Sequence, residues 1–159
     1  MEEENSDSQI VASFKKNNRE FICAGLSRWK GRDLFFIRMY YPAAEGEELL
    51  PSREGITMSV EKFPEIMAAI KTIDLAKEDQ PPVVIRKNSF EEVHVGAGVY
   101  KDMRLLNLRI YSMKTETGDA IPTKKGIAIN TELLPDLLAL LEKLEAALSQ
   151  KTDHGSNAG

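Results

Sequence analysis

The sequence contains itself twice, and that constrains the fold more than any other feature. Residues 29–58 read W-K-G-R-D-L-F-F-I-R-M-Y-Y, an acidic loop, then P-S-R-E-G-I-T-M. The pattern returns 71 residues later as Y-K-D-M-R-L-L-N-L-R-I-Y-S, a polar loop, then P-T-K-K-G-I-A-I. Gly25, Lys30, Leu34, Arg38, Tyr40, Glu45, Pro51, Gly55 and Ile56 meet identical residues at that offset without a gap. A chain with such a period is built from a repeated supersecondary unit, so its functional surface is expected to be duplicated too.

Each unit is about 70 residues, near the lower size limit for a self-sufficient core. The two units are therefore expected to pack on each other as an intramolecular pseudo-dimer. The second helix supports this. Leu134, Leu137, Leu138, Leu141 and Leu148 form one stripe, expected to cover its own sheet. Leu133, Leu140, Leu144 and Ala147 widen that stripe beyond the needs of one face. The surplus predicts burial against the first helix, or else a homodimer of whole chains.

The pattern predicts an α+β fold: two repeats of a four-stranded antiparallel sheet followed by one helix. Residues 1–8 read as a disordered acidic tail, 9–75 as the first repeat, 76–82 as a Pro-Pro-ended linker, 83–149 as the second repeat and 150–159 as a tail. In the first repeat the strands are Ile10–Lys16, Glu20–Arg28, Asp33–Tyr41 and a short Gly55–Met58. Phe63, Ile66, Met67, Ile70 and Ile73 then fall at helical spacing after Ser59, a candidate N-cap, with Pro64 crowding the first turn. In the second repeat the strands are Val83–Lys87, Phe90–Val99, Arg104–Ser112 and Ile127–Ile129, and a helix capped by Asn130 runs to about Leu148.

The net charge is −4, and Glu2, Glu3, Glu4 and Asp7 account for all of it. Each half is otherwise balanced, which allows a basic face opposite an acidic one. One cysteine, Cys23, excludes an internal disulfide and fits a reducing compartment, cytoplasmic or nucleoid/nuclear rather than secreted. Two scattered histidines argue against a metal site, and no sequence feature asks for a cofactor. No apolar run is long enough to span a bilayer, so no membrane association is expected. Catalysis finds no constellation: His94 lacks a Ser or Cys partner pattern, and Gly96-Ala97-Gly98 lacks the strand–loop–helix setting of a phosphate loop. The chain is expected not to be an enzyme.

Alternation on the third strand separates two faces. Phe35, Ile37 and Met39 form the apolar one and should meet the helix. Arg38 and Tyr40, with Arg109 and Tyr111 in the second copy, occupy the other. Arginine offers a donor fork for phosphate, and tyrosine a ring for base stacking. The turns add Trp29, Lys30 and Arg32, then Tyr100 and Lys101. Arg53 and the pair Lys124-Lys125 precede the fourth strands, and Lys15-Lys16 and Arg86-Lys87 lie at the first turns. Aromatic rings interleaved with cations along the turns of a curved sheet suit single-stranded nucleic acid. Solvated charged turns are the plainer account of each one taken singly.

Each half resembles the positive cofactor 4 family of transcriptional coactivators. The resemblance rests on W-K-G-R-D-L-F-F-I-R-M-Y-Y, similar to that family's aromatic-K-G-K…I-x-I-R-x-Y-W run, and on P-S-R-E-G-I-T-M, similar to its P-G-R-K-G-I-S-L run. It implies binding of single-stranded DNA in paired channels formed by two sheets, and a partnership with the transcription machinery. Carried over, it implicates Trp29, Lys30, Arg32, Arg38, Tyr41 and Arg53, then Tyr100, Lys101, Arg109 and Lys124-Lys125. Glu54, Met103 and Ser112 depart from the family pattern, which implies unequal channels. The alternative function is a protein-interaction module that kept the fold and lost strand binding.

Overall fold

The computed structural model describes residues 8–44, 46, 48–77 and 80–158, with backbone alone for 151–158. The acidic stretch 1–7, the loop residues Glu45 and Glu47, and Glu78-Asp79 of the linker lie outside the described residues. The first sheet has strands β1 (Gln9–Lys15), β2 (Phe21–Trp29), β3 (Arg32–Pro42) and β4 (Leu49–Ser59), antiparallel and in sequential order. A 3-10 turn, Val60–Lys62, leads into helix α1, Phe63–Thr72. The second sheet repeats the order with β5 (Val83–Arg86), β6 (Glu91–Tyr100), β7 (Met103–Ser112) and β8 (Ile121–Asn130). A second 3-10 turn, Thr131–Leu133, precedes helix α2, Leu134–Ala158.

The turns arise from local chemistry. Lys30 and Gly31 both take positive φ, +51° and +76°, as do Lys101 and Asp102 at +51° and +65°. Two successive positive-φ residues make the tight hairpin turn whose twist matches that of the flanking strands. At the helix entrances each proline sits in the first helical turn, where its missing N–H costs nothing, and the 3-10 turn before it absorbs the irregular start. Asn130 accepts a hydrogen bond from the Glu132 amide at 2.9 Å, whereas Ser59 makes no side-chain cap.

Several sequence expectations are corrected. The fourth strands are longer than the short segments expected. Pro51 pairs with Tyr40 within β4, and Pro122 with Tyr111 within β8. Both are edge strands of their sheets, so a proline can stand where no ladder donor is needed. Helix α2 continues past Leu148 to Ala158, where the composition predicts a frayed tail. Its Glu145-Ala146-Ala147-Leu148 run propagates helix well, and no proline interrupts the residues beyond it.

The helices are also exchanged between repeats. The sequence predicts each helix over its own sheet. Instead α2 lies along β1 and β2 of the first sheet, and α1 approaches β5 and β6 of the second. Helix α1 keeps its own sheet at its base, where Phe63 meets Phe35 edge to face at 5.3 Å. Strands β4 and β8 run beside each other between the sheets. The result is one continuous core. Ile22, Phe35, Ile37, Ile56 and Ile66 of the first repeat join Val95, Leu108, Ile129, Leu137 and Leu141 of the second, all fully or almost fully buried. Leu140 and Leu144, the surplus of the second helix, are buried in this shared core. The pseudo-dimer expected from the sequence is thus achieved by crossing over. Because both copies carry the same apolar periodicity, the pattern alone cannot say which copy a helix covers.

After α1 the chain is tied to the second sheet: Arg104 donates to the carbonyls of Leu75 and Ala76 at 3.4 and 3.0 Å. Among the described residues, no helix is long and apolar enough to cross a membrane.

Candidate nucleic-acid interface

The crossed packing creates a groove that neither repeat has by itself. Trp29 at the end of β2, Arg32 and Arg38 on β3, and Arg53 and Thr57 on β4 supply one wall. Lys87 and Asn88 at the β5–β6 turn, Glu91 on β6 and Lys125 on β8 supply the other. The cavity between them is about 430 Å³.

Its floor depends on Gly55. With φ at +152° and a virtual Cβ only 2.5 Å from the Arg38 Cα and the Ile37 carbonyl oxygen, this position admits glycine alone. The close approach of β4 brings Thr57 beside Arg38, whose Nη2 donates to Thr57 Oγ1 at 2.5 Å. The guanidinium is thereby oriented along the groove wall while keeping further donors of its fork.

Glu91 is the one carboxylate lining the groove among the described residues. Burial pushes its carboxyl up, but a hydrogen bond from Asn88 at 2.9 Å and the charges of Lys87 and Lys125 outweigh burial and hold it below its ordinary range. Lys87 Nζ lies 3.2 Å from Glu91 Oε1. The groove therefore gathers five cations, Arg32, Arg38, Arg53, Lys87 and Lys125, against that single anion.

The equivalent positions at the 71-residue offset differ in charge. Met103 replaces Arg32, and Glu54 replaces Lys125. Arg109, Lys124 and Lys16 remain as cations, and Glu54 and Glu20 stand at the other two charged positions as anions. The same constellation falls from a net +4 to a net +1. Glu54 and Met103 come from different repeats, and by the pseudo-twofold relation both belong to the same weakened side. Lys16 pairs with Glu20 at 3.5 Å as Lys87 does with Glu91 at 3.2 Å, so the two sides differ in charge count and not in this pair, and Arg109 donates to the Thr123 carbonyl at 2.9 Å.

The remaining candidates separate cleanly. Lys30 Nζ stands 4.7 Å over the Trp29 ring, and Lys101 Nζ 5.3 Å over Tyr100. Tyr41 and Tyr100 are exposed rings. Lys15, Lys124 and Arg86 are exposed at the β1 end, on β8 and at the β5 end; Arg86 reaches the Ser89 carbonyl and the Met113 sulfur. Tyr40 is a correction. It is buried, stacked on Phe36 at 6.3 Å, in a small second cluster with Cys23 on the face expected to be open. Burial raises its phenol, and pushes the Cys23 thiol up to about 11, leaving an inert, protonated core group. In the second copy this face is polar: His94 stacks on Tyr111 at 3.7 Å and meets Glu92 at 3.0 Å. Tyr40 is thus out of a strand's reach, and one face of Tyr111 is already covered by a ring. Thr57, Ser59, Asn88 and Glu91 also line the groove, although the sequence does not single them out as binding residues. Asn88 is legible between the strands Val83–Lys87 and Phe90–Val99 and Glu91 as a residue of the latter strand, but nothing in the sequence aligns them with Trp29.

A cavity lined by cations from both repeats and by one tryptophan defines a two-repeat α+β protein with a cationic groove. The family model described as Transcriptional Coactivator p15 (PC4) matches residues 14–69 and again 87–140, and the chain belongs to that family as a tandem of two domains. A search of curated proteins found no significant match. Membership supports DNA binding and a coactivator role in transcription.

Proposed function

We propose that the chain is a non-enzymatic single-stranded DNA-binding coactivator in which one composite groove, shared by both repeats, holds the strand. The observation that carries this reading is the cluster of Arg32, Arg38 and Arg53 with Lys87 and Lys125 around a cavity that Trp29 also lines. The five cations neutralise phosphates along the strand, and displaced counterions drive association. Trp29 supplies a stacking face that every base can use, so binding is tolerant of sequence. A duplex keeps its bases stacked internally and cannot offer them to Trp29. The setting this implies is melted DNA at a site of transcription, in a nuclear or nucleoid compartment.

The experiment is a salt titration of affinity for an oligothymidylate and for a duplex of matched length. The single strand is expected to bind more tightly. Its log affinity should fall with log salt at a slope of roughly −3 to −4, taking about 0.7 per neutralised phosphate for five contacts. Equal affinity for the duplex would remove stacking from the mechanism. Absence of any salt-dependent binding would favour the protein-interaction module instead.

A further inference from the structure

The composite groove has a neighbour beside Glu91. A second cavity of about 400 Å³ is lined by Asn88, Ser89, Phe90, Glu91, Ser112 and Lys114. Asn88 and Glu91 line both cavities, so the two are neighbours at the β5–β6 turn. The second cavity's aromatic member is Phe90, with 52% of its surface exposed. An apolar ring left this open on a turn contributes little to the core. Its backbone is nonetheless fixed on both sides. The Phe90 amide donates to Asn88 Oδ1 at 2.9 Å, and the Met113 amide donates to the Phe90 carbonyl at 2.7 Å. Lys114 Nζ lies 5.0 Å from the ring centroid.

We propose that Phe90 and Lys114 form a base-stacking subsite where a single strand leaving the composite groove places a nucleobase on the ring and a phosphate near the ammonium. This rests on the strand-binding function proposed above. An aromatic face next to a cation is the minimal unit of sequence-tolerant strand binding, and a ring whose backbone is already fixed has only its side-chain freedom to lose on stacking. Ser112, the position where the third strand lacks a terminal aromatic, lines the same cavity, so Phe90 supplies a ring where that strand has none. The subsite belongs to one side only. The positions equivalent to Phe90 and Lys114 in the first repeat are Arg19 and Ala43, which offer no ring. The addition therefore falls next to the strongly cationic groove and lengthens its path.

The test compares Phe90→Ala and Phe90→Trp with the unmodified full-length protein, on oligothymidylates of about 5 and about 15 nucleotides, which bracket usual single-strand site sizes. Phe90→Ala is expected to weaken binding of the longer strand by roughly 5- to 100-fold, the range expected for one lost stacked base, and to leave the shorter strand unchanged. Phe90→Trp should retain or tighten the longer complex. A 2-aminopurine at one end of the longer strand should lose fluorescence on binding the unmodified protein and keep it with Phe90→Ala. If the unmodified protein binds both strands and neither affinity nor fluorescence responds to Phe90→Ala, the subsite is overturned while the groove stands. Equal losses for both strand lengths, or equal losses for Ala and Trp, would likewise overturn it, since the ring would then be acting inside the groove or as a structural support. If the unmodified protein ignores single strands altogether, the proposed function and the subsite fail together.

Discussion

Removing α2 beyond Asp136 is expected to unfold the first repeat along with the second. The deletion takes away Leu137, Leu140, Leu141 and Leu144, all buried in the core common to both sheets. It also strips the cover from β1 and β2, against which this helix lies. Burying one leucine contributes about 1.5–3 kcal/mol, so four of them rival the whole stability of an ordinary domain at roughly 5–15 kcal/mol. Amide hydrogen exchange reads the outcome residue by residue. The amides of Ile22, Cys23 and Ala24, on a fully buried stretch of β2, should lose protection although they lie more than half the chain away in sequence. Protection of those amides at the level of the intact chain would mean that the first repeat is self-sufficient and the crossed helices are incidental.

Replacing Trp29 by alanine should weaken single-strand binding by about 5- to 100-fold, the range for one lost stacking platform. Replacing Tyr100 should change it little. Tyr100 offers a more exposed ring than Trp29, so exposure alone would predict the reverse order. The charge around each ring decides the order. Trp29 opens onto a constellation with a net charge of +4, whereas the positions equivalent around Tyr100 sum to +1. A ring without phosphate contacts nearby has no strand held against it. Fluorescence anisotropy with a labelled oligothymidylate, with circular dichroism confirming that both variants are folded, gives the comparison. Equal losses in the two variants would mean that both sides bind alike, and the charge difference would lose its significance.

The residues themselves make much of this legible. The repeat, the order of elements and the buried set Phe35, Ile37 and Met39 come from period and alternation, because those patterns reflect local geometry that does not depend on a partner. The cations of the groove are legible one at a time for the same reason. Their assembly is not. Lys125 and Trp29 lie on different repeats, and only the crossing of the helices and the meeting of β4 with β8 bring them to one cavity. An internally repeated sequence is ambiguous on this point, since a contact within one copy and a contact between copies satisfy the same pattern. Glu54 shows the consequence. Taken within its own repeat it spoils the first repeat's surface, yet its equivalent, Lys125, lines a groove together with residues of the other repeat. Tyr40 is misplaced by the sequence for a different reason. Alternation assigns its face correctly but says nothing of whether that face is covered. The signal is present in Phe21, Cys23 and Phe36, apolar on that same face where the second copy has Glu92, His94 and Asn107.

The central claim is that the strand lies in one groove built from both repeats. Backbone amide chemical-shift mapping of the full chain, titrated with a short oligothymidylate, tests it most directly. Trp29, Arg53, Thr57, Lys87 and Lys125 should shift together with a single affinity, while Lys16, Tyr100, Arg109 and Lys124 stay in place until much higher strand concentration. Shifts confined to one repeat, or of equal size and affinity at Trp29 and Tyr100, would contradict the claim.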